Sequence, residues 1–298
     1  MLTASNKYAM AKELTQQQST KASVLIDNPG VQLYSVRDHL GNNAGATFEK
    51  LAAIGYKHVE WFDVTTLAAQ ASLAKAEDLT ITSAHVLSPY LTGQQRLNMN
   101  IPTSLSSPEK LIETLNSHGV KNLVLSYLFE DERQNLEQYK QLSDHLNRVG
   151  ELCQPAGIQL CYHNHDFEFN RFDEHSPFEL FLQELDSEKV KFELDVFWVK
   201  YAGLEPAKLI TELGSRCHLL HLKDLKQMPS MKEPAEKGFF QPLGQGIIDF
   251  PAILSAAQSA GVNCGFVEQD HTSGNIFTEL TTSLNYLKTL NSQSGQLL

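Results

Sequence analysis

Short apolar runs recur along the chain, and between them lie longer stretches in which apolar residues return every three or four positions. The runs are VQLYSV (31–36), HVEWF (58–62), LTITSAHV (79–86), NLVLSYL (122–128), IQLCYH (158–163), VKFELDVF (190–197), HLLHLK (218–223) and CGFVEQ (264–269). Runs of this length and content fit strands buried on both faces. The intervening segments carry helical stripes. Leu136, Tyr139, Leu142, Leu146, Val149 and Leu152 form one, and Ile276, Leu280, Leu284 and Leu287 form another. Gly55, Gly119, Gly157 and Gly261 stand where helix gives way to strand, the place of a left-handed C-cap. Eight strands alternating with helices over about 250 residues predict an α/β fold, a (β/α)8 TIM barrel. A doubly wound sheet would want a glycine-rich phosphate loop after its first strand, and RDHLGNNAG offers none. The expected division is an N-terminal extension over 1–29, the barrel over 30–292 and a tail over 293–298. The stretch 226–248, with Pro229, Pro234, Pro242 and three glycines, reads as a loop over one barrel end.

In such a barrel the chemistry gathers at the C-terminal strand ends. The fifth run leads into CYHNHDFEF, which crowds His163, His165, Asp166 and Glu168 together. The sixth carries Asp195, the seventh His221 and Lys223, followed by Asp224, and the eighth Glu268, followed by Asp270. Residues two apart share a strand face, so His163 pairs with His165, His221 with Lys223, and Glu268 with Asp270. The steps from His163 to Asp195 and on to His221 are each close to one βα unit of roughly 30 residues. Four consecutive strands thereby deliver an imidazole or carboxylate to one rim. Such a set without thiolate suits one divalent metal ion, Mn²⁺, Co²⁺, Mg²⁺ or Zn²⁺. Plainer roles compete: a structural histidine, Asp195 as a helix cap, and Lys223 with Asp224 as a solvated pair.

Composition narrows the partners. The formal net charge of −11 on 298 residues opposes binding to a phosphate backbone, so no nucleic acid is expected. No apolar run approaches the ~20 residues that span a bilayer, so no membrane segment is expected. The first residues lack a continuous apolar h-region, and no secretory signal is read there. Cys153, Cys161, Cys217 and Cys264 form no CxxC pair, which favours reduced thiols and a cytoplasmic location.

The segments LYSVRD, YHNHDFEF, ELDVFWVKYAG, HLKD, PLGQGIIDF and VEQD resemble the xylose isomerase-like TIM barrels known as sugar phosphate isomerases/epimerases. The resemblance runs from about residue 30 to 292, and YHNHDFEF points to a branch near inosose dehydratases and 3-keto-glycoside lyases or hydratases. It implies one divalent metal held by residues of the last four strands. Three of these fall on Asp195, His221 and Glu268, while a histidine, His163, stands where that family has glutamate. The fourth ligand lies among His163, His165 and Glu168, and register selects His163. Glu168 resembles a substrate-touching glutamate of the related epimerases. His165 is the expected base, because an unperturbed imidazole titrates near pH 6.5.

The implied activity is that of a metal-dependent sugar isomerase or epimerase, removing a proton next to a carbonyl through an enediolate. A hydro-lyase or 3-keto-glycoside lyase/hydratase is the alternative, because loss of a β-oxygen substituent starts from the same step. A non-catalytic sugar-binding protein is the alternative of another class. A DNA-repair endonuclease on the same barrel would need more metals and a basic groove, which the charge opposes. The expected partner is a sugar, keto-sugar or cyclitol, with assembly into a homo-oligomer left open. Catalytic roles are assigned to His165, Glu168 and Lys223, and substrate contacts to Tyr34, Arg37, Glu60, His85 and Trp198. For Trp198 packing is favoured, since buried aromatics are common.

Overall fold

The structure is a computed structural model that describes residues 30–94, 96, 97, 99–228, 237–272 and 274–294. The expected extension over 1–29 lies outside the described residues, as do 295–298 of the tail. All eight apolar runs form strands: β1 Gly30–Gln32, β2 His58–Trp61, β3 Thr80–Leu87, β4 Asn122–Tyr127, β5 Gln159–His163, β6 Val190–Asp195, β7 Cys217–Leu222 and β8 Cys264–Val267. They pair in parallel, each with its sequence neighbour, and β1 closes the ring on β8 through Gly30↔Phe266 and Val31↔Val267. Gly30 permits the closure, because a Cβ there would collide with the Phe266 ring.

One long helix follows each strand: α1 Arg37–Ile54, α2 Val64–Ala76, α3 Pro108–Ser117, α4 Leu136–Cys153, α5 Pro177–Glu184, α6 Pro206–Leu213, α7 Phe250–Ala260 and α8 Ile276–Ser294. The fold is therefore the expected (β/α)8 TIM barrel. Local chemistry sets the helix ends. Ser176 and Glu179 form a reciprocal capping box at α5, with Pro177 at its first position. Gly55, Gly119, Gly157 and Gly261 all take positive φ.

Three sequence expectations shift. The first run is a strand only to Gln32, whose side chain accepts from Tyr34 N–H at 3.1 Å and turns Leu33–Val36 into a 3₁₀ turn. The sixth run stops at Asp195, which caps the short helix Val196–Tyr201. In α4 the stripe ends on Cys153 rather than Leu152, which is 40% exposed; a four-residue step from Val149 keeps to the buried face and a three-residue step leaves it.

The apolar core has two bodies. The larger lies between strands and helices and includes Phe48, Trp61, Leu146, Phe181 and Leu280. The smaller, Val124, Cys161, Leu219 and Phe266, plugs the barrel lumen. Above that plug the inward positions turn ionic.

The proline-rich segment is tied to the barrel at both described ends. Asp224 and Leu225 pair antiparallel with Gln241 and Phe240, and Phe240 stacks on Phe197 at 4.5 Å. Residues 229–236 lie outside the described residues. Asp224 is buried and accepts from the N–H groups of Leu225, Gly244, Gly246 and Ile248 at 2.8–3.2 Å. The solvated Lys223–Asp224 pair is thus corrected: adjacent residues point to opposite sides, and Asp224 staples the loop. Asp224→Ala should strand these N–H groups and lower unfolding free energy by about 2–5 kcal/mol, read by urea titration.

Candidate active site and candidate metal centre

Strand parity builds the barrel mouth in layers. Two residues beyond the plug positions Cys161, Leu219 and Phe266 come His163, His221 and Glu268. A barrel interior is ordinarily filled by branched apolar side chains. Here it holds buried imidazoles and carboxylates, which persist only when they satisfy one another.

The deeper layer joins Glu60, His85, Glu193 and His221, of which His85 is 7% exposed and the others fully buried. Glu60 Oε2 lies 2.5 Å from His221 Nε2 and 3.1 Å from His85 Nε2. It also accepts from Gln32 Nε2 at 2.8 Å. Glu193 Oε2 lies 2.6 Å from His85 Nε2 and 3.3 Å from His221 Nε2. Burial alone would raise the Glu60 carboxyl, but His85 and His221 hold it below the usual range. An ionised Glu60 only accepts, which assigns a hydrogen to His221 Nε2. Burial would lower the His221 pKa, but Glu193, Glu268 and Glu60 hold it well above the usual histidine value, so Nδ1 would serve as a ligand only where a cation displaces its proton.

The upper layer joins His163, Asp195, His221 and Glu268, each offering one donor atom, all within 4.8 Å of one another. These are the four residues expected to share a metal. His163 Nδ1 lies 3.2 Å from the Ser126 carbonyl, which accepts its hydrogen, and Nε2 lies 3.2 Å from Asp195 Oδ2. Burial lowers the His163 pKa to about 4, so the ring is neutral, the state a ligand needs. Asp195 divides its oxygens: Oδ1 caps Phe197 and Trp198 N–H, and Oδ2 faces His163 and Lys223. The cap and the site role therefore coexist. The fit to a divalent ion rests on one feature above all. His221 Nδ1 and Glu268 Oε2 approach to 2.8 Å, yet both are buried without a hydrogen bond of good geometry. Two donor atoms turned toward one point suit a shared cation.

Lys223 lies beside this set. Its ammonium is 3.0 Å from Asp195, 2.8 Å from Glu268 and 3.2 Å from Asp270. Burial would lower its pKa, but these carboxylates hold it well above the usual lysine value. Asp270 is pushed the other way, to about 7, because burial outweighs the attraction of Lys223. One ammonium is thus shared among three carboxyl groups.

These groups open on a cavity of about 460 Å³ at the C-terminal strand ends, lined by His163, His165, Lys223, Glu268 and Asp270 on one side. Tyr34, Phe62, His85, Leu87, Ser126 and Tyr127 line the other. A second cavity, about 270 Å³, lies on the flank near Ser88 and His145, where Ser88 bonds Glu132 and His145 meets the Leu91 carbonyl. It shares no residue with the ionic layers.

His165 stacks on Phe167, meets Tyr127 edge-on at 5.2 Å, and leaves Nδ1 without a hydrogen-bond partner. Burial, then His163 and Lys223, hold it well below pKa 6.5, so it is neutral near pH 7 rather than half-charged. Glu168 departs from expectation. It does not line the cavity; it accepts from Tyr162 O–H at 2.5 Å and His165 N–H at 2.8 Å. Tyr162 is an outward-facing residue of β5 packed on Phe181, so Glu168 lies behind the strand and fixes the loop that carries His165.

Glu60 also departs: it lies one layer below the rim, sealed from the cavity. Arg37 is spent on neighbours, 4.0 Å above the Tyr34 ring and bonded to the Tyr34 and Asp270 carbonyls. Trp198 packs against His165 at 5.2 Å rather than lining the cavity. Tyr34 and His85 do line it.

Two residues went unread in the sequence. Glu193 precedes Asp195 by two and shares its inward face, the signal that would have found it. Asp270, set on the Glu268 face by strand parity, meets Lys223 at 3.2 Å. Asn164 clamps the Asp195 backbone, accepting its N–H at 3.0 Å and donating to its carbonyl at 3.4 Å; nothing local in the sequence signals this bond across strands.

A closed (β/α)8 barrel with a buried His/Asp/Glu donor set at its catalytic face belongs to the barrel enzymes. The chain belongs to the xylose isomerase-like TIM barrel family, whose sequence profile matches residues 48–288. Among curated relatives, inosose dehydratase of Geobacillus thermodenitrificans is 27% identical over 164 residues, 51% of this chain and 54% of that protein. The chain thus spans about half the length of the curated relatives it matches. A solved sugar phosphate isomerase/epimerase from Parabacteroides distasonis is 25% identical, with TM-score 0.69 over 87% of this chain and 92% of that one. At 16% identity the IOLI protein, solved with a zinc atom, shares the fold at TM-score 0.67 over 89% of this chain and 98% of that one. Among the described residues no helix is long and apolar enough to cross a membrane.

Two outcomes are expected. Glu60→Gln should weaken divalent-metal affinity 10–100-fold, read by chelator competition, because His221 loses the carboxylate that fixes its tautomer. Burial raises the Glu168 pKa to about 7 from 4.5. The folded state therefore holds this proton more tightly than the unfolded chain, and its contribution to stability is full below pH 4.5 and lost as pH rises through 7. Glu168→Gln lacks that loss, so its stability relative to wild type should rise by on the order of 3 kcal/mol between pH 4.5 and pH 8, measured by urea unfolding.

Proposed function

We propose that the chain is a divalent-metal-dependent enzyme that removes a proton next to the carbonyl of a keto-sugar or cyclitol. The observation that carries this is the upper donor set, in which His163, Asp195, His221 and Glu268 each turn one donor atom to within 4.8 Å of the others beneath the cavity. His163, Asp195, His221 and Glu268 would hold the ion. When bound, a divalent cation polarises a carbonyl and offsets the charge that develops on its oxygen.

The remaining work falls to side chains. His165 is neutral at pH 7 and so can accept the proton; Tyr127 and Phe167 fix the plane of its ring. Lys223 stays an ammonium and can donate a hydrogen bond to a substrate oxygen. Asp270, raised toward neutrality on the same wall, can return a proton. Glu168 acts through His165 by holding its backbone N–H, a positioning role.

Returning the proton to carbon gives isomerisation or epimerisation. Giving it to a departing β-oxygen gives dehydration or glycoside cleavage. Two observations favour this second outcome: the similarity to inosose dehydratases, and an acid–ammonium pair, Asp270 with Lys223, lining the same cavity as the base.

The test is solvent deuterium exchange into a panel of inososes and keto-sugars with Mn²⁺-loaded or Co²⁺-loaded protein, with product analysis for water loss. His165→Ala should keep its metal and lose exchange by about 10²–10⁴-fold. Asp195→Ala and Glu268→Ala should lose metal while retaining the folded circular-dichroism spectrum. A purified chain that binds no divalent ion under any condition would instead support non-catalytic sugar binding.

A further inference from the structure

The cavity has two unlike walls, and strand parity makes them so. On β1, β2 and β3 the inward positions Gln32, Glu60 and His85 are polar, and the next inward positions are Tyr34, Phe62 and Leu87. Beyond β5, β7 and β8 the series stays polar to the rim, with His165, Lys223 and Asp270. Tyr127, at the end of β4, extends the apolar side.

That apolar side is partly open. Tyr34 is 39% exposed, and Phe62, Leu87 and Tyr127 are each only partly covered. The rings are held in place: Tyr34 stands edge-on to Phe62 at 5.7 Å, and Tyr127 to Phe129 at 5.6 Å. Rigid aromatic surface beside a polar centre gains most when an apolar group covers it. The volume of about 460 Å³ falls within the range, about 300–1,000 Å³, of sites that engulf drug-sized ligands.

The charges point the same way. Among the described lining residues the cations are both engaged: Lys223 is shared by Asp195, Glu268 and Asp270, and His85 is paired with Glu60 and Glu193 at 3.1 and 2.6 Å. Arg37 nearby is bound to the Tyr34 ring and two carbonyls. A phosphate ester entering this cavity would meet Glu268 and Asp270 before any unengaged cation.

We propose that the substrate is an uncharged sugar or cyclitol derivative bearing an apolar group of about aromatic size, with its hydroxyls toward the donor set and that group against Tyr34, Phe62, Leu87 and Tyr127. This rests on the reading of the donor set as the polyol-binding pole.

The test compares three probes on the full, Mn²⁺-loaded chain by calorimetry: methyl β-D-glucoside, 4-nitrophenyl β-D-glucoside and glucose 6-phosphate. The nitrophenyl glycoside should bind at least about tenfold more tightly than the methyl glycoside, a gain of ~1.4 kcal/mol. The phosphate should bind no better than the methyl glycoside. Tyr34→Ala and Phe62→Ala should each shrink the nitrophenyl-to-methyl ratio and leave metal content unchanged. Equal binding of the two glycosides by wild type, no binding of either, or preference for the phosphate would overturn the proposal, whatever the variants do. A ratio unmoved in both variants would overturn the assigned wall. Deuterium exchange tests the catalytic reading separately, since the ratio is read without turnover.

Discussion

His221 is gripped at both ring nitrogens, and the barrel mouth is organised around that fact. Nε2 meets Glu60 at 2.5 Å in the deeper layer, and Nδ1 meets Glu268 at 2.8 Å in the upper one. A fully buried imidazole on β7, flanked by carboxylates from β2 and the end of β8, ties these strands together across the lumen through one rigid ring. Moving it would leave buried carboxylates unpaired, which costs several kcal/mol per charge in a low-dielectric interior. The deeper layer thus fixes which nitrogen faces the mouth, and the upper layer inherits its geometry.

Such a stack of charges is tolerable only on a stiff frame. The frame is supplied by the lumen plug of Val124, Cys161, Leu219 and Phe266 below and by the larger sheet–helix core outside. Parallel strands buried on both faces leave no slack in register, because a one-residue slip would exchange every lumen residue for a core residue. The same alternation that seats Cys161 in the plug seats His163 above it. Loops are then fastened from behind: Glu168 holds His165, Asn164 clamps Asp195, and Asp224 staples the segment after β7. None of the three touches the donor set through its own side-chain charge, yet each fixes a residue or loop beside it.

The rim is asymmetric in a way that joins fold to chemistry. Strands late in the chain carry ionisable groups to the top, while the first four end in aromatic and aliphatic side chains. A barrel closes the first strand against the last, so the two kinds of wall face one cavity. Family membership is consistent with this arrangement, since sugar-transforming relatives and neighbours share the barrel.

Much of this was legible in the chain itself. Continuous apolar runs and 3.6-period stripes gave the eight strands and their helices, because both patterns follow from local backbone geometry and burial. Placement at the ends of four successive strands set His163, Asp195, His221 and Glu268 on one rim, and the structure brings those four together. What escaped was decided by contacts between distant segments. Glu60 reads as a rim group until β2 is set against β1 and β3 and its depth in the lumen becomes visible. Glu168 lies three residues from His165 in sequence, but the 3₁₀ turn at Phe167–Phe169 sends it behind the strand toward Tyr162. Glu193 acquires its role only because His85 reaches it across the barrel. Local sequence determined which way each side chain leaves its strand. Tertiary structure alone decided how deep it lies and which charge it meets, because depth and pairing depend on the stagger of strands far apart in the chain.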